Sequence, residues 1–148
     1  MPGLPAKDVI DLQLGVESLA DADAVRDVLE DAGFPALPDI DHDNPKPPGA
    51  PVWPKRFHCS ADPDRPVNLH VREVGSPGWR YALLFRDWLR ADAAARAEYL
   101  AVKRTAAERY ADDPDADRYV EVKEPWFDEA FERAERWAAT SAWVPSLD

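Results

Sequence analysis

Polar and apolar residues alternate near the start of this chain, where Ile10, Leu12 and Leu14 interleave with Val9, Asp11 and Gln13 and Gly15 lies close to the end of the pattern. A period of two predicts a half-buried strand, because successive side chains leave a strand on opposite faces. From Asp21 the period lengthens. Ala24, Val25, Val28, Leu29 and Ala32 fall on one helical face, and Gly33 follows as a stop. The period of two then returns twice. Phe57, Cys59 and Ala61 oppose Arg56, His58 and Ser60, and Val67, Leu69 and Val71 oppose Asn68, His70 and Arg72. The Asp-Pro-Asp-Arg stretch at 62–65 reads as a hairpin connection between them. If the three strands are neighbours, Asp11, Gln13, Arg56, His58, His70 and Arg72 make one polar sheet face.

The second half is helical by the same test. Ser76 is placed as an N-cap with Pro77 at the first helical position, ahead of a stripe of Tyr81, Leu84, Phe85, Trp88 and Leu89. Ala95, Tyr99, Val102, Ala106 and Tyr110 keep the helical period. Asp113 and Pro114 cap a third segment with Tyr119, Val122, Trp126, Ala130, Ala134 and Trp137 in register, which Pro125 should kink or break. Seven prolines within 35–54 deny backbone donors to a ladder, so that segment is expected to be a surface loop, and residues 139–148 a tail. The expected fold class is α/β or α+β, a mixed sheet with one face covered by helices and a helical C-terminal half, in one domain over residues 1–148.

Composition narrows the partners. With 148 residues, 45% hydrophobic content and six tryptophans the chain can bury a core. Its 29 acidic residues against 18 basic ones give a net charge of −11, which repels phosphate backbones, so no nucleic-acid partner is expected. Charges interrupt every hydrophobic stretch short of the roughly 18 residues that span a bilayer, so neither is a membrane. The single Cys59 cannot form an internal disulfide, and no charged-then-apolar leader precedes the first strand; a cytoplasmic location is expected.

The stretches "PGLPAKDVIDLQLGV", "NLHV", "GSPGWRYALLFRDWLRAD", "EYLAVKR" and "RYVEVKEPWF", in this order and spacing, resemble the GrpB family, small domains with a nucleotidyltransferase-like fold. The first stretch is similar, more narrowly, to the GrpB-like domain fused behind the kinase domain of actinobacterial dephospho-CoA kinases. The resemblance implies a Gly-Ser element upstream of Pro2, so that the chain is an N-terminally truncated domain whose partner is a kinase domain in the same parent chain. ATP and Mg²⁺ are then cofactors of that kinase domain, and none belongs to this chain, which has no G-x-x-x-x-G-K-[ST] phosphate loop.

Working nucleotidyltransferases hold two divalent metals on an acid-x-acid strand plus a third carboxylate. The resemblance places Asp11 at the first acid, Gln13 at the second and Asn68 or His70 at the third. One carboxylate is too little charge for two Mg²⁺ ions. The expectation is therefore a non-catalytic, metal-free accessory domain supporting or regulating a dephospho-CoA kinase. The alternative is a free-standing nucleotide-binding protein or nucleotidyltransferase-like enzyme using the polar face, with Asp11, Arg56, His70, Arg86, Lys103 and Lys123 as candidate ligand contacts. Each has a plainer reading: the polar face as the solvated side of a sheet, Arg86 as partner of a core-edge carboxylate, and Lys103 with Tyr99, or Lys123 with Tyr119, as packed helical neighbours. Adjacent on a helix, Arg86 and Asp87 diverge by about 100° and are not expected to pair.

Overall fold

Ser18 opens the first helix as the patterning of caps requires, its hydroxyl accepting the Asp21 amide hydrogen at 3.2 Å. A computed structural model of the chain describes residues 9–62, 64–110, 118 and 121–147. Along it run β1 (Ile10–Val16), α1 (Leu19–Ala24), α2 (Arg26–Asp31), β2 (His42–Asp43), β3 (Trp53–Pro54), β4 (Arg56–Cys59) and β5 (Val67–Glu73). Three longer helices follow, α3 (Pro77–Ala91), α4 (Ala93–Arg109) and α5 (Glu124–Ser141). The architecture is mixed α/β, as the patterning predicts. The chain divides into two compact units, a sheet unit through residue 45 and over 49–82, and a helical unit of 46–48 and the residues from 83 onward.

In the sheet unit the strand order is β1-β5-β4, with β1 parallel and β4 antiparallel to the central β5. Val67, Leu69 and Val71 of β5 are buried, and Leu69 and Val71 join Ala22 in a small core against which Val16, Leu29 and Phe34 pack. The single helix expected from Asp21 is instead two short ones, broken at Val25. That break shifts the register, so Ala22 and Leu29 face the sheet while Val25 and Val28 are exposed. The proline-rich segment, expected as a loop, pairs β2 with β3 in antiparallel register, and Trp53 anchors it as a buried side chain.

In the helical unit Leu84, Trp88 and Leu89 of α3, Ala95 of α4 and Ala130, Ala134 and Ala138 of α5 form the core. Small residues on α5 let Phe85, Tyr99, Trp126, Trp137 and Trp143 pack around it. Asp92 caps α4 by accepting the amide hydrogens of Ala94 and Ala95, both at 2.9 Å. Pro125 sits in the first turn of α5, where its missing N–H costs nothing. The expected caps Asp113 and Pro114, and Tyr119, lie outside the described residues. Within the expected tail, α5 runs on to Ser141, Ala142 ends it in the left-handed region (φ 51°), and the Trp143 indole donates to Asp87 Oδ2 at 3.0 Å.

Candidate functional site

The parallel register sets Asp11 beside Asn68 and Gln13 beside His70, so these four side chains share one face of the sheet. On β4 the register overturns the expected assignment. Phe57 pairs with His70 and Cys59 with Asn68, which puts the apolar set of β4 on the polar face and sends Arg56 and His58 to the covered one. There each finds a partner that patterning does not reveal. Arg56 grips Asp23 through Nε and Nη2 at 2.7 and 2.9 Å, and His58 Nδ1 donates to the Phe34 carbonyl at 2.8 Å.

Two residues absent from the sequence expectations organise the polar face. Asp43, on β2, accepts from Lys55 Nζ at 2.7 Å on one carboxylate oxygen and from Arg72 Nε at 2.8 Å on the other. The Lys55 and Arg72 side chains are only 6% and 9% exposed, so their charges depend on Asp43 rather than on water. Arg72 also donates from Nη1 to Gln13 Oε1 at 2.8 Å and from Nη2 to His70 Nδ1 at 3.2 Å. Since Arg72 can only donate, His70 Nδ1 is an acceptor and the ring is neutral. Burial above all, then the charges of Arg72 and Lys55, push the His70 pKa down to about 4. Asn68 donates to Asp11 Oδ1 at 2.9 Å, and the Phe57 ring packs edge-on to His70 and under Lys55. The signal for Asp43 lay in Asp41-His42-Asp43 followed by Trp53, an acidic run with an apolar anchor inside a proline-rich stretch.

This donor set does not fit two divalent ions. Both oxygens of Asp43 are held by cations of the chain itself, Asp11 is engaged by Asn68, and among the described residues no three His, Cys, Asp or Glu side chains converge. What the arrangement does chemically is occupy its own carboxylate: Lys55 and Arg72, two cations to one anion, supply next to Asp43 the positive charge that a metal supplies elsewhere.

Of the six candidate ligand contacts, Asp11 and His70 lie on this face, and Arg56 lies on the other. Arg86, Lys103 and Lys123 belong to the helical unit. Contrary to the divergence expected of adjacent helical residues, the long Arg86 side chain curls back to Asp87, with Nε to Oδ1 at 2.7 Å, and it also donates to the Ser146 carbonyl at 2.8 Å. Lys103 stands over the Tyr99 ring, as its i, i+4 spacing predicts, and Lys123 over the Phe127 ring.

Fold and site together define a small mixed α/β domain whose polar sheet face is closed by internal ion pairs. The profile of the GrpB protein family matches residues 1–133, and the chain belongs to that family. A protein named dephospho-CoA kinase from Mycolicibacterium paratuberculosis is 51% identical over 156 residues, covering 97% of this chain and 38% of the kinase. The chain thus spans little more than a third of the length of that relative. The glutamate-rich protein GrpB of Alkalihalophilus pseudofirmus is 32% identical over 86% of this chain and 69% of its own length. In structure, the conserved protein GrpB from Enterococcus faecalis superposes with a TM-score of 0.67 at 20% identity, over 97% of this chain and 76% of that one, which is a likeness of fold. Among the described residues no helix is long and apolar enough to cross a membrane.

Proposed function

We propose that this chain is an accessory, non-catalytic module of a dephospho-CoA kinase, supporting or regulating a kinase domain in the same longer polypeptide. ATP and Mg²⁺ serve that kinase domain. The observation that carries the reading is the 51% identity, along 97% of this chain, to a protein with that name. The polar face supports the non-catalytic part: both oxygens of Asp43 are taken by Lys55 and Arg72, which leaves neither free to hold a metal ion.

Expressing the longer protein with and without this segment tests the proposal. Removal should lower the yield of folded protein, the turnover of dephospho-CoA, or both. Equal yield and turnover in the two versions would overturn it. The nucleotide-binding alternative draws less support, because the cavity described below lies on the face away from Asp11 and His70 and only Arg56 among the six candidates lines it.

A further inference from the structure

A cavity of about 280 Å³ opens in the sheet unit beside β4, on the face shared by Arg56 and His58. One wall is the segment leading to β2, which lies along β4 through the Leu37 amide donating to the Phe57 carbonyl at 2.8 Å and the Cys59 amide donating to the Pro35 carbonyl at 3.2 Å. Ala22, Leu37 and Ile40 form an apolar part of a lining that is otherwise polar, with Asp23, Arg26, Asp41 and Arg56 around it. His58, 2% exposed, also lines it. Its Nδ1 faces a carbonyl, which can only accept, so Nδ1 carries a proton and, in the neutral ring, Nε2 is the acceptor. Among the described residues nothing donates to that nitrogen.

The same cavity carries two guanidinium groups. Arg56 and Arg26 both reach Asp23, Arg56 through two nitrogens and Arg26 through one at 3.3 Å. Five N–H groups per guanidinium leave donors to spare on each. Asp23 and Asp41 balance the two positive charges, so the site has no net charge to draw an anion, and a carboxylate is held there by hydrogen bonds from the spare donors. The volume lies near the bottom of the range of about 300–1,000 Å³ usual for ligand sites, which suits a small molecule.

We infer that this cavity binds a small organic carboxylate bearing a hydroxyl or amino donor, with the donor on His58 Nε2, the apolar body against Leu37 and Ile40, and the carboxylate on Arg26 and Arg56. Both sources of the donor share this chemistry. An amino group carries a charge that Asp41 also attracts, and a hydroxyl does not.

The test is an NMR titration of the whole chain with 2-hydroxyisovalerate and with L-valine, following the His58 ring and the Arg56 Nε–H signals. At least one probe should shift both signals saturably. Isovalerate, which lacks the donor, should bind about tenfold more weakly, the worth of one hydrogen bond to a buried acceptor. Arg26→Met should weaken binding about threefold or more without changing the melting temperature, since Arg26 is exposed. Asp41→Asn should weaken L-valine alone if the amino form is the one bound. No saturable shift with either probe, or isovalerate binding as tightly as both, would overturn the inference.

Discussion

Arg72 Nε donates to Asp43 Oδ2 across 2.8 Å, and this contact ties the central strand of the sheet to the short β2 strand of the proline-rich segment. Lys55 holds the other oxygen, so Asp43→Ala strands two nearly buried cations at once. Removing one member of such a buried group costs about 3 kcal/mol or more. Urea unfolding of the variant should show that loss, and a change below about 0.5 kcal/mol would mean that the network is solvated.

The same network sets a pH dependence with two windows. With His70 pushed down to about 4 in the folded chain, against 6.5 for an unperturbed imidazole, the unfolded state binds more protons between those values. Stability therefore falls as pH is lowered from 6.5 toward 4, with a slope approaching about 1.4 kcal/mol per pH unit from this group. His70→Asn should remove that slope in pH-dependent melts. Asp43 acts lower down. Burial would raise its carboxyl, but the hydrogen bonds and charges of Arg72 and Lys55 outweigh burial and hold it below 3.8. Its contribution is present above that value and is lost as pH falls through the folded pKa.

Lys46 plays a comparable part in the helical unit. Its ammonium, 5% exposed, stands 2.6 Å from both Glu124 and Asp128 near the start of α5. Lys46→Met leaves two carboxylates facing each other and should cost about 1–3 kcal/mol. Adding Asp128→Asn should restore part of it, and a double-mutant cycle reads the coupling. Strictly additive costs would show that the three groups do not act together.

Leu12 and Leu69 are register partners of unlike fate, 45% and 8% exposed. Leu69→Ala should cost about 2–5 kcal/mol and Leu12→Ala about 1, because the edge strand β1 leaves its apolar side half in water. Equal costs in denaturant unfolding would mean that the flank of β1 is covered in solution.

Periodicity made β5 and the three long helices legible, because each has one face against a core and its side chains record that burial, while β1 was legible from alternation alone, its Ile10, Leu12 and Leu14 remaining exposed. It failed on β4 for a specific reason. Arg56 and His58 are polar residues on the covered face, satisfied by Asp23 and the Phe34 carbonyl, while Phe57 lies on the polar face beneath Lys55. Alternation reports polarity, and here polarity and burial part company. Asp43 and Lys55 were hidden for another reason: Asp43 lies inside the proline-rich segment and Lys55 just beyond it, and the pairing of β2 with β3, which sets Asp43 opposite the buried Trp53, cannot be read from alternation. Asp11 and His70 were legible because the parallel pairing of β1 and β5 keeps their alternation in step.

The most direct measurement of the proposed role is the rate of dephospho-CoA phosphorylation by the proposed longer protein carrying Asp11→Asn. Asp11 stands where the family resemblance places the first acid of a nucleotidyltransferase-like centre, and Asn keeps its size and its hydrogen bond to Asn68 within reach. If the domain is an accessory one, kcat and kcat/KM should stay within about twofold of the parent protein. A fall of about tenfold or more in kcat, with the fold intact by melting temperature, would contradict it and place Asp11 in the chemistry.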